Sequence, residues 1–146
     1  MVKGSYTLLV EVKEDFEAKI PSIGQIKFRK GFYIYNGSAF GPGGFKRVER
    51  HRKLSKDEGN YTVHWHIDHL TSAEKSEIIK VFKASEKDLE DELTREIDLE
   101  TVEGFGASDS EIDSHLLYCE NKKEAVRAIK SAYRKFVDEK DLIMES

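Results

Sequence analysis

Cysteine, proline and long apolar runs are all scarce in this 146-residue chain. Cys119 is the sole cysteine, which excludes an internal disulfide bond and a zinc site built from several thiolates. No stretch approaches the ~18 uninterrupted apolar residues of a membrane-spanning helix, so we expect no membrane partner. The N-terminal sequence turns acidic before the apolar region of a signal peptide can form. We therefore expect a cytoplasmic protein.

Length and composition favour one folded domain over residues 1–146. Aromatic residues make up 10% of the chain and require a buried core, which argues against disorder. The charge is unevenly distributed, because residues 1–56 carry a net charge of +7 and residues 57–146 carry −11. A basic cluster at 43–56 raises the local affinity for phosphate, although on charge alone a solvated helix face is the better interpretation.

Hydrophobic periodicity predicts a mixed fold of strands and helices. Strand-like runs lie at 6–12, at 24–39 (two strands with a turn at Arg29–Gly31), at 76–84 and at about 114–119. Helical patterns lie at 41–56, at 85–97 with Ser85 as the N-cap, and at 121–139. Residues 15–24 resemble a connection, and 60–70 fits either a strand or a short helix. The predicted fold class is α/β of the α+β type, a small and mostly antiparallel sheet flanked by helices.

The segment YIYNGSAFGPGGFKRVERHRK, residues 33–53, concentrates the residue types that a phosphodiester requires. Tyr35 lies on a strand that can pair beside the strand of Tyr6, and Arg47 and His51 share a helix face at a spacing of four. Arginine neutralises developing negative charge, and a phenol or an imidazole orients or deprotonates water. The glycines of the loop shape the site and allow a phosphate to approach closely.

The segment HWHIDH offers a second kind of site. On a strand, His64, His66 and Asp68 would share one face and suit Zn²⁺ or Fe²⁺, whereas on a helix His64 and Asp68 would pair. The alternative interpretation is a structural network with Trp65 and Ile67 in the core, or a contact with DNA.

Six motifs in a fixed order give the chain a more specific resemblance. They follow GSY (4–6) and are YIYNGSAFGPGG (33–44), RVERH (47–51), HWHIDHL (64–70), LEDEL (89–93), GFGASD (104–109) and SHLLY (114–118). This series resembles the family called domain of unknown function 123 (DUF123), a branch of the GIY-YIG nuclease superfamily, from about Gly4 to Tyr118.

The chain departs from the pattern of that family at three places. GSY replaces GIY, and YNG replaces YIG or YVG. Asn36 is expected on the strand face opposite Tyr35, where its amide needs hydrogen-bond partners. Asp91 follows Glu90 where the family pattern has cysteine after glutamate.

The resemblance implies roles for the catalytic residues. Tyr6 would activate or orient the water, and Tyr35 would line the site. Arg47 would contact the scissile phosphate, while His51 would assist proton transfer or position the phosphate. Glu90 would bind one divalent ion, Mg²⁺ or Mn²⁺.

The function that the resemblance implies is a divalent-metal-dependent endonuclease acting on DNA. Glu92 is the alternative to Glu90 as the metal ligand. A role in DNA repair and a repair-protein partner are also implied. The alternatives are a non-catalytic nucleic-acid-binding module of the same fold and a metalloprotein that uses the HWHID segment. The expected nucleic-acid contacts are Gly37, Ser38, Lys46, Arg50, Arg52, Lys53 and His115.

Overall fold

The structure, a computed structural model, describes residues 3–40, 43–55, 66–105, 112 and 114–146. The strands are β1 (Gly4–Val12), β2 (Phe16–Ile20), β3 (Gly24–Phe28), β4 (Gly31–Ser38), β5 (Ser76–Ser85), β6 (Glu100–Thr101), β7 (Leu116–Cys119) and β8 (Leu142–Glu145). The helices are α1 (Lys46–Ser55), α2 (Asp68–Thr71), α3 (Glu90–Glu96) and α4 (Lys122–Arg134), followed by a 3₁₀ turn at Glu139–Asp141. Of the helices in these ranges, none has the length and apolarity needed to cross a membrane.

The described strands form a six-stranded sheet in the order β6-β7-β4-β1-β5-β8 and a separate β2-β3 hairpin. All paired neighbours are antiparallel. With helices packed on the sheet, this architecture confirms the predicted α+β class.

The hairpin corrects two expectations. The predicted connection at 15–24 contains β2, because Phe16 and Ala18 pack on the core while Glu17 and Lys19 are exposed. So short an alternation is easily hidden in the sequence. The two strands predicted within 24–39 do form, but β4 is already paired on both edges, with β1 and β7, so β3 pairs with β2 instead.

Each face of the six-stranded sheet has its own apolar core. Tyr6, Leu8 and Val10 on β1 point to the face covered by α1, α2 and the hairpin, called the α1 face below. Leu9 on β1 and Ile34 on β4 point to the opposite face, covered by α3 and α4 and called the α4 face below. Because both faces are covered, nearly every residue of β1 is buried.

The start of α3 differs from the prediction. Ser85 is not an N-cap, because it ends β5, where pairing with Gly4 holds it extended. The helix begins at Glu90, and its preceding backbone is held by Ser5. The Ser5 hydroxyl donates to the Lys87 carbonyl over 2.6 Å and accepts from the Leu89 N–H over 2.7 Å. The buried start of β1 therefore fixes where α3 begins.

The other predicted helices and strands agree with the structure only in part. Helix α1 and helix α4 were predicted, but α4 ends at Arg134 because the chain turns through Glu139–Asp141 into β8. Of the segment 60–70, residues 68–70 are described as part of the helix Asp68–Thr71, while residues 60–65 lie outside the described residues. The short edge strands β6 and β8 were not predicted, since neither shows a clear alternation.

A buried polar network crosses the α4 face. As predicted, Asn36 points away from Tyr35, and both the oxygen and the nitrogen of its amide have hydrogen-bond partners. Thr7 Oγ1 donates to Asn36 Oδ1 over 2.7 Å and lies 2.8 Å from the Tyr133 hydroxyl. Asn36 Nδ2 donates to Thr94 Oγ1 over 3.0 Å. The network thus joins β1, β4, α3 and α4 through side chains that are removed from water.

We expect Thr7→Val to lower the free energy of unfolding by about 2 kcal/mol, because valine keeps the shape but leaves buried acceptor and donor groups without their partner. Equilibrium urea unfolding measures the loss. The matched control is Thr101→Val on the exposed β6, which should change the free energy by less than about 0.5 kcal/mol. Equal effects of the two substitutions would contradict a structural role for the network.

Candidate functional site

The two tyrosines expected at the site lie on the α1 face, near the end of the sheet where β1 begins and β4 ends. In the antiparallel register, Tyr6 is opposite Gly37, and Tyr35 is opposite Leu8. A Cβ atom at Gly37 would lie within 2.5 Å of Tyr6 Oη and would overlap the ring. Glycine is therefore required at this position so that the Tyr6 ring can lie across β4.

Tyr6 is hydrogen-bonded to His51 of α1. The distance from Tyr6 Oη to His51 Nε2 is 2.9 Å, and the two rings are tilted by 48°. On the other side of the imidazole, His51 Nδ1 lies 3.6 Å from Asp68 Oδ1. A carboxylate on the Nδ1 side favours the Nδ1–H tautomer, which leaves Nε2 to accept the Tyr6 proton.

Asp68 completes this cluster from helix α2. Its side chain is 0% exposed and accepts two bonds from Arg50, from Nη1 over 3.2 Å and from Nη2 over 2.9 Å. Arg50, expected at the nucleic acid, is thus engaged in a buried ion pair. The sequence pattern allows Asp68 to be either a metal ligand or a structural residue. Its partners here, Arg50 and His51, lie on α1.

The protonation states follow from burial. Burial lowers the pKa of His51 below its usual value of 6.5, while Asp68 opposes the shift, so the imidazole is neutral at neutral pH. Burial also raises the pKa of Tyr6 well above its usual value, as do Tyr35 and Glu90, whereas Arg47 opposes the increase. Burial likewise raises the pKa of Tyr35, with Glu90 as the next largest cause. Both phenols are therefore protonated.

The same electrostatic couplings show that four of the predicted catalytic residues share one environment with Tyr6, namely Tyr35, Arg47, His51 and Glu90. Arg47 is half-buried, and its Nη1 donates to the Ser38 carbonyl over 2.7 Å, which holds the guanidinium at the end of β4. The structure therefore brings together residues from β1, β4, α1 and α3.

The remaining basic residues of α1 differ in their exposure to solvent. Lys46 and Lys53 are exposed on the helix surface. Arg52 is largely covered and lies 3.9 Å from Glu145 of β8. The two lysines are thus the expected phosphate contacts of α1 that extend furthest into solvent.

A second group lies on the α4 face, where α3 begins and β7 is about to start. It consists of Glu90, Asp91 and His115, whose ligand atoms all lie within 4.8 Å of one another. His115 Nε2 is 2.7 Å from Asp91 Oδ1 and 3.8 Å from Glu90 Oε1. Two carboxylates and one imidazole are donors that fit a divalent cation. Glu92 is not a member of this group.

The sequence patterns predict no role for Asp91 and predict a nucleic-acid contact for His115. The His115 side chain is 1% exposed and contacts Asp91 and Glu90. The available signal for Asp91 was its position beside Glu90, but only the tertiary structure brings His115 to it.

In the HWHID segment, His64 and Trp65 lie outside the described residues. His66 Nδ1 is 3.3 Å from the Gly104 carbonyl, and the imidazole packs edge-on against Phe105. Ile67 is buried in the α1-face core, as the structural interpretation expected. His66 and Asp68 therefore make separate contacts.

We expect Gly37→Ala to lower the free energy of unfolding by about 1–3 kcal/mol, because the new Cβ displaces the Tyr6 ring. The cost should largely vanish in a Tyr6→Leu background, since leucine lacks the ring atoms that the Cβ meets. A double-mutant cycle by urea unfolding measures this coupling. Additive effects of the two substitutions would show that the Gly37–Tyr6 contact is not the constraint.

The lowered pKa of His51 predicts a pH dependence of stability. Below about pH 6.5 the unfolded chain binds a proton at His51 that the folded chain resists, so the free energy of unfolding falls as the pH falls. The wild type should lose more stability between pH 8 and pH 5 than His51→Gln, which has no titrating imidazole. Parallel stability curves for the two proteins would contradict a depressed pKa.

Comparison with known proteins identifies the family of this chain. No curated protein and no solved structure matches the chain. The sequence matches the family described as Domain of unknown function DUF123 over residues 5–138, which extends from β1 past the end of α4. Because this match covers most of the chain, the chain belongs to the DUF123 family.

Proposed function

We propose that this protein is a divalent-metal-dependent endonuclease that hydrolyses phosphodiester bonds in DNA. The observation that carries the proposal is the 2.9 Å contact between the Tyr6 hydroxyl and a neutral His51, with Arg47 and Glu90 in the same environment. The assignment of the reaction class and of DNA rests on the resemblance to GIY-YIG nucleases. A cytoplasmic location and a partner from DNA repair are part of the same proposal.

Tyr6 and His51 together form a proton relay. A phenol with a raised pKa is a weak base by itself, because its phenolate is rarely present. His51 Nε2 acts as the base for Tyr6, because it accepts the Tyr6 proton while Tyr6 Oη takes a proton from water. The resulting hydroxide attacks phosphorus, and the bond to the leaving oxygen breaks. The nearby Asp68 carboxylate stabilises the imidazolium that forms.

Arg47 supplies the positive charge. Its guanidinium is held at the end of β4 by the Ser38 carbonyl, where it neutralises the charge that builds on the non-bridging phosphate oxygens. Tyr35 lines the same site and orients the phosphate. A divalent cation held by Glu90, Mg²⁺ or Mn²⁺, supplies Lewis-acid stabilisation of that charge when bound.

Helix α1 provides the DNA-binding surface. Lys46 and Lys53 are exposed on it and contact backbone phosphates, with Arg52 beside them. Gly37 and Ser38 form the adjoining end of β4. Each phosphate contact releases counterions, so binding weakens as salt rises.

A second candidate function is a non-catalytic DNA-binding module. The observation that favours it is the burial of Tyr6, whose side chain is 2% exposed and whose hydroxyl is already paired with His51. In this case DNA would contact the exposed lysines of α1 without reaching the phenol.

We expect the wild type to cleave at least one substrate in a panel of branched, nicked and duplex DNAs with Mg²⁺ or Mn²⁺. Tyr6→Phe and His51→Asn should each reduce cleavage by about 10²-fold or more, because either change interrupts the relay. Glu90→Gln should reduce it similarly, whereas the matched control Glu92→Gln removes the same charge two residues away and should cleave normally.

The outcomes separate the two candidates. Cleavage lost in the relay variants, with DNA binding at low salt retained, supports the nuclease. No cleavage by the wild type on any substrate, with salt-sensitive DNA binding, supports the binding module. Absence of both activities contradicts both candidates.

A further inference from the structure

We propose that Glu90, Asp91 and His115 together form a three-ligand site for a divalent transition-metal cation, Mn²⁺ or Zn²⁺, in preference to Mg²⁺. This inference rests on the proposed function, in which Glu90 binds one divalent ion. It adds Asp91 and His115 as ligands of that ion, and it adds a preference among metals.

The three donors converge from two elements. His115 Nε2 lies 2.7 Å from Asp91 Oδ1 and 3.8 Å from Glu90 Oε1, and all three ligand atoms lie within 4.8 Å. The imidazole is 1% exposed, whereas the Glu90 and Asp91 side chains are 18% and 28% exposed. The site is thus closed on the imidazole side and open to solvent at the carboxylates. A cation enters there and takes the place of the contact between His115 Nε2 and Asp91 Oδ1.

The backbones of the ligands are held by the buried Asn36, through both its backbone N–H and its side-chain amide. The Asn36 N–H donates to the His115 carbonyl over 3.1 Å. The Asn36 side chain donates to Thr94 Oγ1, and that hydroxyl donates to the Glu90 carbonyl over 2.9 Å. Asn36 therefore ties both ligand-bearing elements to β4. A site held in this way is organised before the ion arrives.

Two further bonds support the same geometry. The His115 N–H donates to the Phe105 carbonyl over 3.0 Å, so the peptide groups on both sides of the His115 side chain are held. The Leu89 N–H donates to Ser5 and fixes the residue before Glu90. Ligands supported by hydrogen bonds of this kind lose little conformational entropy on binding.

The donor set determines the preferred metal. Imidazole nitrogen suits zinc and other late transition metals, whereas carboxylates suit Mg²⁺, Ca²⁺ and Mn²⁺. Mg²⁺ keeps several waters and favours oxygen ligands, so one nitrogen among three donors disfavours it. The two carboxylates beside the imidazole keep the site suitable for Mn²⁺ as well as for Zn²⁺.

The test is calorimetric titration of the full chain with Mn²⁺, Zn²⁺ and Mg²⁺ in the absence of DNA. We expect one Mn²⁺ or Zn²⁺ per chain and at least about tenfold weaker binding of Mg²⁺. Asp91→Asn and His115→Gln should each weaken Mn²⁺ binding by about tenfold or more. Glu92→Gln is the matched control and should leave the dissociation constant unchanged.

A spectroscopic variant keeps the test independent of folding losses at the buried His115. Asp91→Cys should produce a sulfur-to-metal charge-transfer band on addition of Co²⁺, whereas the wild type, whose Cys119 is buried, should show none. A variant without the band, or Asp91→Asn with unchanged Mn²⁺ affinity, would overturn the ligand set. Equal affinity for Mg²⁺ and Mn²⁺ would overturn the preference.

These measurements are independent of DNA cleavage. If the protein binds Mn²⁺ through all three ligands but cleaves no DNA, the result supports the metal site and contradicts the proposed nuclease function. If cleavage depends on Glu90 but not on Asp91 or His115, the result supports the nuclease and overturns the three-ligand site.

Discussion

A carboxylate that is wholly removed from water organises the α1 face of the sheet. An isolated buried charge is costly, so Asp68 must be paired. Arg50 supplies two hydrogen bonds and His51 Nδ1 lies 3.6 Å from Asp68 Oδ1, and both residues belong to α1. The short helix α2 therefore determines how α1 docks. Docked in this way, α1 places an imidazole against Tyr6 and, one turn earlier, an arginine at the end of β4.

Strand β4 joins this arrangement to the opposite face. Its alternation directs the Tyr35 side chain toward the α1 face and the neighbouring Asn36 side chain toward α3 on the opposite face. The phenol and the amide thus serve two different clusters although they are adjacent in the chain. Glu90 lies where the clusters meet, because it influences the tyrosines electrostatically while sharing its ligand group with His115. Strand β4 therefore fixes the position of the Tyr6–His51 pair relative to the candidate metal ligands.

Much of this fold follows from local sequence patterns. The apolar strands β1, β4 and β5 and the amphipathic α4 are long enough for their periodicity to be recognised. The five-residue β2 and the edge strands β6 and β8 are too short or too irregular. The wrong N-cap at Ser85 has a different cause, since ladder pairing with Gly4 overrides the local capping pattern. For the site, motif resemblance led to Tyr6 and His51. The pairing of Asp68 with Arg50 and of Asp91 with His115 spans 18 and 24 residues, and only folding reveals it.

The register that sets Tyr6 opposite Gly37 also restricts how the sequence can evolve. Any side chain at position 37 meets the ring, and a smaller residue at position 6 that relieves the overlap also removes the hydroxyl that His51 contacts. No single substitution at either position keeps both the packing and the hydrogen bond. Positions 6 and 37 are therefore expected to vary together among descendants of this sequence, because a lineage that replaces Tyr6 with a smaller residue no longer needs glycine at position 37.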